Sequence, residues 1–134
     1  MEFRTFIADR MQEVIELFWE EGWTDYLEDE EKLGRAFENS LFCLGAFDEA
    51  DRLAGFARCV GDGEHIVLVQ DLIVRRECRH MGVGTILLRR VMERFSNVRM
   101  LQLNTDIGDE AANGFYRSLG MRELKDGGMV SYFR

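Results

Sequence analysis

The sequence has 134 residues, the length of one ordinary domain, and its 46% hydrophobic content is typical of a globular rather than a disordered chain. The three cysteines, Cys43, Cys59 and Cys78, show no CxxC spacing, which indicates reduced thiols rather than a disulfide framework or a zinc site. The N-terminus lacks an apolar signal core, and the longest apolar runs are shorter than the ~18 residues of a membrane span. We therefore expect a cytoplasmic protein with no membrane partner.

Charge is unevenly distributed along the chain. The net charge is −8, but residues 75–99 contain seven arginines and two glutamates, a local charge of +5. Residues 1–40 contain twelve acidic and four basic residues, a local charge of −8. A nucleic-acid partner is disfavoured because it would need a broad basic face. A small anion bound at one place fits better, and the alternative is that Arg89, Arg90 and Arg94 belong to a solvated helix face.

In chain order, the first half predicts one strand, two helices and three further strands. EFRTF is a short strand, and apolar residues recur at helical spacing in 9–21 and 29–38. Residues 41–60 read as a hairpin. The run HIVLVQDLIV is apolar enough to be a strand buried on both faces.

The second half alternates helices and strands. Val83, Leu87, Val91 and Phe95 recur every four residues and predict a helix after a glycine-bearing turn. VRMLQLN is predicted as a strand, DEAANGFYRSLG as a helix, and MRELK with MVSYFR as a final hairpin around DGG. The order β-α-α-β-β-β-α-β-α-β-β implies a single α/β domain over 1–134, with a mixed sheet and helices on both faces.

The turn Gly82-Val83-Gly84 joins a strand to a helix and would present backbone amides at the helix N-terminus, which is where anions bind. No lysine follows Gly84, so this is not a P-loop. Position 87 is leucine, so the turn is not a dinucleotide fingerprint either. A tight turn without a ligand is the alternative reading, and the arginines just before the turn favour the anion site.

Two motifs resemble those of the GNAT superfamily of acyl-CoA-dependent N-acyltransferases. The stretch Arg79-His80-Met81-Gly82-Val83-Gly84 resembles its R-x-x-G-x-G signature, and NGFYRSLGM (113–121) resembles its second signature, F-Y-x-x-x-G-[FM]. The element order is similar to that of the family over essentially the whole chain. The resemblance implies a GNAT-like fold and an N-acetyltransferase that uses acetyl-CoA as co-substrate and no metal. A homodimer with the final hairpin as a contact is also compatible with it.

The resemblance implies that loop and helix-start amides hold the pyrophosphate of coenzyme A, with the Thr85 hydroxyl adding to them. It also implies that a splayed strand offers main-chain groups to the pantetheine arm, and that an amide near Leu72 polarises the thioester carbonyl. Many relatives have an asparagine where this chain has Asp109, which leaves Asn104 and Asn113 as alternatives. The other cofactor-binding residues implied are Leu72, Ile73, Val74, Arg79, His80, Met81, Gly82, Val83, Gly84 and Thr85.

The family's catalytic tyrosine corresponds to Tyr116. The leaving thiolate needs a proton, and a phenol with a pKa of about 10 is a matched donor. The alternative is a packing role for Tyr116 beside Phe115. For the general base, the nearest carboxylate on the strand before the loop is Asp71. Asp71 either pairs with a basic residue such as Arg58 or faces the substrate amine as its base or anchor. If it is a structural partner, the candidates for the base are Glu20, Glu21 and Asp25.

The resemblance places the acceptor site beside the first two helices. Aromatic and acidic residues are interleaved there, which suits an organic cation. The substrate-binding residues predicted are Trp19, Glu20, Trp23 and Tyr26. We expect a small-molecule amine, an arylalkylamine or a polyamine, attacking the thioester directly in a ternary complex. The alternatives are helix core with solvated acids, a non-catalytic acyl-CoA-binding module, or a protein lysine or N-terminus as acceptor.

Overall fold

Five strands form one mixed sheet in the computed structural model, which describes all residues from Met1 to Arg134. Neighbouring strands are antiparallel from the first to the fourth, and the fourth and fifth are parallel. A parallel pair needs a crossover, which a helix supplies here. In spatial and chain order the strands are β1 (Glu2–Thr5), β2 (Phe42–Phe47), β3 (Leu53–Gly61), β4 (Ile66–Val74) and β5 (Met100–Leu103).

Four α-helices accompany the sheet: α1 (Met11–Glu21), α2 (Glu30–Glu38), α3 (Val83–Arg94) and α4 (Glu110–Ser118). The first helix ends at Gly22, whose φ of 80° is left-handed and therefore suits glycine. A 3₁₀ turn, Thr24–Glu28, leads to α2. Asp29 caps α2, because its carboxylate accepts the Lys32 N–H at 3.0 Å. No helix is both long and apolar enough to cross a membrane.

The chain divides by its contacts into two compact units, Met1–Leu103 and Asn104–Arg134. The first unit contains the whole sheet and the first three helices. The second contains α4 and a 3₁₀ turn, Leu124–Gly127. A single domain over 1–134 stays a prediction.

The core of the first unit lies on both faces of the sheet. On one face, α1 and α2 cover an aromatic cluster in which the rings of Phe18 and Phe56 meet edge to face at 5.7 Å between centroids. On the other face, α3 buries four apolar residues at helical spacing: Val83, Leu87, Leu88 and Val91. The predicted mixed sheet with helices on both faces is therefore confirmed.

The predicted final hairpin is wrong. Residues 124–127 form a 3₁₀ turn closed by Gly128, which has a left-handed φ of 78°. The Gly128 N–H donates to the Lys125 carbonyl and the Met129 N–H to the Leu124 carbonyl, each at 3.0 Å. These local bonds fold DGG into a helical turn instead of a two-residue hairpin turn. No strand follows, and Val130, Tyr132 and Phe133 are exposed.

Candidate active site

The C-terminal half of β4 has one open main-chain edge. Pairing of β4 with β5 ends at Val69 and Leu103, whereas pairing with β3 continues to Val74. The Arg75 N–H donates across to β3, to the Ala54 carbonyl at 2.7 Å. Because peptide groups alternate in direction along a strand, the N–H groups of Leu72 and Val74 point away from β3. They face the side where β5 has ended, which is the splayed edge that the resemblance implies.

The loop between β4 and α3 is shaped by two left-handed residues, His80 (φ 63°) and Gly82 (φ 82°). Gly82 is the N-cap of α3, and no side chain accepts a hydrogen bond from the first-turn amides. The first turn contains no acidic residue, and a side chain built on Gly82 would meet open space. The positive end of α3 is therefore presented to an accessible region, which fits a bound phosphate group.

The first two arginines of this loop already have partners elsewhere in the unit. Arg75 is buried and donates twice to the Leu53 carbonyl, at 3.1 and 2.8 Å, and its guanidinium lies 3.5 Å from the Glu16 carboxylate. The Arg76 N–H donates to the Glu20 carboxylate at 3.1 Å, and its guanidinium donates to the Glu20 carbonyl at 2.8 Å. Both side chains fasten the loop to the rest of the unit.

Arg79, the arginine of the first motif, is held in the same way. It donates to the Val74 carbonyl at 3.1 Å and to the Glu21 carboxylate. The contacts to Glu20 and Glu21 were not predicted from the sequence. The only sequence feature that pointed to these contacts is the opposite net charge of residues 1–40 and 75–99, and net charge does not show which residues pair. The loop would therefore hold an anion mainly through its backbone.

A cavity of about 580 Å³ lies beside the end of α1 and the start of α2. Its volume is within the range of small-molecule sites, roughly 300–1,000 Å³. The lining combines two aromatic rings, three carboxylates and one ammonium group, which favours an organic cation. The lining residues are Gly22, Trp23, Thr24, Asp25, Tyr26, Glu28, Asp29, Lys32, Leu33 and Ala36.

Tyr26 connects this cavity to β4. Its hydroxyl donates to Asp71 Oδ1 at 2.6 Å and accepts from Gln70 Nε2 at 3.0 Å. Its ring stacks on Phe18, with 4.4 Å between centroids. Burial and the neighbouring Asp71 charge raise the pKa of Tyr26, so its phenol stays protonated at neutral pH.

Asp71 is 2% exposed and forms the ion pair with Arg58 that the sequence predicted as one alternative. Its Oδ2 accepts from Arg58 Nε at 2.6 Å, while Oδ1 accepts from Tyr26. Both oxygens are hydrogen-bonded within the protein. This geometry does not support the other alternative, in which Asp71 takes a proton directly from the amine.

Of the four predicted acceptor-site residues, Trp23 and Tyr26 line the cavity and Trp19 and Glu20 do not. The side of α1 that faces the core is occupied by Phe18, so its neighbour Trp19 points outward and is 70% exposed. Glu20 instead accepts hydrogen bonds from Arg76 in the loop between β4 and α3. The interleaved aromatic and acidic residues therefore serve three purposes: core, loop attachment and cavity lining.

In the second unit, Tyr116 lies on α4 and its ring is tilted against Phe115 at 5.3 Å. Burial, followed by the Asp109 charge, raises the pKa of Tyr116. Asp109 caps α4 through the Ala112 N–H at 3.0 Å.

The other two polar residues predicted near the cofactor also lie in this unit. The Asn113 amide donates to the Asp106 and Asp109 carbonyls at 2.9 and 2.7 Å, whereas Asn104 is exposed. Asp109 and Asn113 thus have structural roles at the start of α4, and contacts of Asn104, Asp109 and Asn113 with coenzyme A stay predictions.

Comparison with known proteins agrees with the motifs. Residues 8–121 match the model of the acetyltransferase (GNAT) family. Over 110 residues the chain is 33% identical to serotonin N-acetyltransferase 2, chloroplastic, of Oryza sativa subsp. japonica. That match covers 77% of this chain and 54% of the rice protein, so the chain spans about half the length of this relative.

Solved structures share the fold. An acetyltransferase of the GNAT family from Streptococcus pneumoniae TIGR4 is 30% identical, with a TM-score of 0.85 and coverage of 99% of this chain and 96% of that one. The PaiA N-acetyltransferase of Thermoplasma acidophilum, solved in complex with coenzyme A, is 19% identical. Its TM-score is 0.71, and the match covers 88% of this chain and 87% of that one.

Proposed function

Because the chain belongs to the GNAT family of acetyltransferases, we propose that it transfers the acetyl group of acetyl-CoA to the primary amine of an arylalkylamine. The observation that carries this proposal is the cavity beside α1 and α2, where aromatic rings and carboxylates come together. Tyr26 joins that cavity to the strand with the open edge, so an amine bound there would lie next to the cofactor strand.

For the cofactor, the chain offers backbone groups. The outward N–H groups of Leu72 and Val74 suit the pantetheine arm, and the first-turn amides of α3 suit the pyrophosphate. Gly82 leaves the approach to those amides open. Acetyl-CoA supplies an activated acyl group as a thioester. An N–H aimed at the thioester carbonyl stabilises the charge that develops on its oxygen, and such donors are typically worth ~10²–10³ in rate.

For the amine, the cavity favours one cation attached to an aromatic ring. Trp23 and Tyr26 contribute aromatic rings, and Leu33 and Ala36 extend the apolar lining. A polyamine would gain little from these apolar groups. Serotonin, which the name of the rice relative gives as its substrate, is itself an arylalkylamine.

The attacking nitrogen loses two protons, one before attack and one as the C–S bond breaks, and the departing thiolate gains one. The ammonium must lose a proton before it attacks, and Asp25 is the carboxylate that we assign to this step. Asp25 lines the cavity, whereas Glu20, Glu21 and Asp71 each hold an arginine of the protein. Tyr116 gives a proton to the departing thiolate, and its raised pKa keeps it protonated throughout the neutral range. The second nitrogen proton returns through solvent to the Tyr116 phenolate.

The test is a steady-state assay of thiol release from acetyl-CoA, paired with calorimetry of coenzyme A binding. The acceptor panel contains tryptamine, 2-phenylethylamine, spermidine, a lysine peptide and phenylethanol as the matched alcohol. We expect the two arylalkylamines to give the highest kcat/KM and the alcohol to give no rate above hydrolysis. A preference for spermidine or the peptide would change the substrate class. Coenzyme A binding without acceleration by any amine would instead identify a non-catalytic acyl-CoA-binding module.

A further inference from the structure

The last turn of α1 is attached to the loop between β4 and α3 at two successive residues. Glu20 receives the Arg76 N–H on its carboxylate and the Arg76 guanidinium on its carbonyl, at 3.1 and 2.8 Å. Glu21 receives the Arg79 guanidinium. The Arg79 and Glu21 side chains are only 35% and 28% exposed, so solvent screens this ion pair less than an open surface pair.

The cavity wall begins at the next residue. Gly22 ends α1 with its N–H bonded to the Trp19 carbonyl at 3.1 Å, and the Trp23 N–H donates to the Phe18 carbonyl at 2.9 Å. No flexible linker therefore separates Glu21 from Trp23, and both follow the position of the same helix end. A displacement of this turn would move the loop attachment and the aromatic wall together.

Arg79 is also attached on its other side. Its Nε donates to the Val74 carbonyl at 3.1 Å, at the end of the open edge of β4. One guanidinium thus spans the strand that would carry the pantetheine arm and the helix that ends at the cavity. Arginine suits this task because its planar fork donates to two acceptors in fixed directions, which a lysine cannot do.

We infer that Glu21, supported by Glu20, is a positioning residue that couples the cofactor loop to the wall of the acceptor cavity. The inference rests on the proposed function for the identity of the two ligands. Coenzyme A bound against the loop changes the surroundings of Trp23, and an amine bound at the wall changes affinity at the loop by the same factor, because coupling between binding sites is reciprocal.

Tryptophan fluorescence can report on this coupling, because the two tryptophans of the chain are Trp19 and Trp23. In the Trp19→Phe variant of the full chain, all tryptophan emission comes from Trp23. We expect coenzyme A to change this emission on titration. In Trp19→Phe/Glu21→Gln the emission change should fall to less than half, while calorimetry still measures coenzyme A binding, weakened at most about five-fold, the scale expected for loss of a partly exposed ion pair.

Two further variants separate positioning from general destabilisation. Arg79→Lys keeps the charge but loses the double attachment, so it should reproduce the Glu21→Gln result. Glu16→Gln is the matched control on the same helix. Its partner Arg75 keeps both bonds to the Leu53 carbonyl, so the Trp23 response should be retained. Melting temperatures of all variants show whether a loss of response merely follows a loss of stability.

A full emission change in Trp19→Phe/Glu21→Gln would mean that coenzyme A affects Trp23 directly, and the inference would be wrong. Calorimetric binding without any emission change in Trp19→Phe would also overturn it, while leaving the proposed function intact. Absence of coenzyme A binding to the unmodified chain would reject the proposed function and, with it, the coupling.

Discussion

The loop before α3 and the cavity beside α2 are built from different parts of the chain. In the loop, the amides at the start of α3 are left open: two left-handed residues shape the turn, and the side chains of Arg75, Arg76 and Arg79 point back to fasten it. In the cavity, the main chain forms a 3₁₀ turn and a helix, so the rings and charges that line the cavity come from side chains.

The two regions should therefore respond to substitution in opposite ways. The loop depends on backbone conformation and on the approach to its amides, so apart from the three anchoring arginines, an exchange of side chains that preserves φ and leaves this approach open should be tolerated. The cavity depends on particular functional groups and on the buried partners that orient them. Removal of a single functional group there should change binding or stability, even where the backbone is unaffected.

The largest effect is expected for Asp71→Asn, which removes the charge that compensates buried Arg58 beneath the cavity. Breaking one partner of a buried ion pair typically lowers the free energy of unfolding by about 3–5 kcal/mol. Urea denaturation measures the loss. Glu77→Gln is the matched control, because the Arg52–Glu77 side chains are 47% and 60% exposed and such a pair contributes at most about 1 kcal/mol. Equal effects of the two substitutions would show that Asp71 is not a structural partner.

Tyr116→Phe tests the second unit, where a single hydroxyl is proposed to donate a proton to the leaving thiolate. Turnover should fall by about 10- to 1,000-fold, because general acid catalysis contributes on that scale, whereas coenzyme A affinity stays unchanged. Tyr132→Phe is the control, since that side chain is 92% exposed. Lost affinity with normal turnover would indicate a packing role instead. In the unmodified enzyme, the raised pKa predicts no loss of rate from this group below its ordinary pKa of about 10.

Gly82→Asp tests the backbone-built site. Aspartate tolerates left-handed φ better than most residues, so circular dichroism should show the fold intact. Its carboxylate would cap the first turn of α3 and occupy the place of the pyrophosphate. We expect coenzyme A affinity to fall about 10- to 100-fold by calorimetry, the scale of losing charged hydrogen bonds. Gly82→Asn, equal in size and neutral, should lose much less. Unchanged affinity in both variants would contradict the assignment of the loop.

Tyr26→Phe tests the dependence of the cavity on one functional group, because it removes only the hydroxyl oxygen. Without its bonds to Asp71 and Gln70 the ring is no longer fixed in the cavity wall, so the KM of the amine should rise about ten-fold. The free energy of unfolding should fall by about 1–3 kcal/mol because Asp71 loses a donor. Affinity for coenzyme A should stay the same. Steady-state kinetics and calorimetry on the same preparation separate these effects. A KM that does not change would place the amine elsewhere.

The smallest effect is expected for His80→Asn in the loop. Asparagine readily adopts the left-handed conformation of His80, so coenzyme A affinity should stay within about three-fold of the original. His80→Val is the informative companion, because a β-branched residue with φ of 63° is strained. If the asparagine and valine variants bind equally well, the backbone conformation at this position does not matter.

These regions also differ in what could be predicted from the sequence. The loop is local: its glycines, its arginines and the strand before it are contiguous, so a motif was enough to locate it. The β4 edge followed from the same resemblance. The final hairpin was mispredicted because DGG supports a helical turn as readily as a hairpin, and two local hydrogen bonds, from Gly128 to Lys125 and from Met129 to Leu124, decide between them.

The hydrogen bonds that hold the cavity in place join residues far apart in the sequence, and no sequence pattern predicts most of them. Tyr26 and Asp71 are 45 residues apart, and the bonds from the loop to Glu20 and Glu21 join residues 56 and 58 positions apart. Alternation along β4 and the cost of burying a carboxylate were sufficient to suggest Arg58 as a partner for Asp71. Nothing comparable connects Tyr26 to β4, because the 3₁₀ turn that carries it has only five residues, too few to show a periodic pattern in the sequence.

The buried contact of Arg58 with Asp71 also constrains how such a sequence can change over generations. A neutralising mutation at either position alone leaves an uncompensated buried charge, so the ion pair is lost most readily by joint replacement, with apolar residues of similar volume. That joint replacement would have a second result. It would release the Tyr26 hydroxyl from Asp71 and leave it available to an incoming amine. One rare double substitution, remote from the surface, thereby offers this scaffold an evolutionary route to a different choice of acceptor.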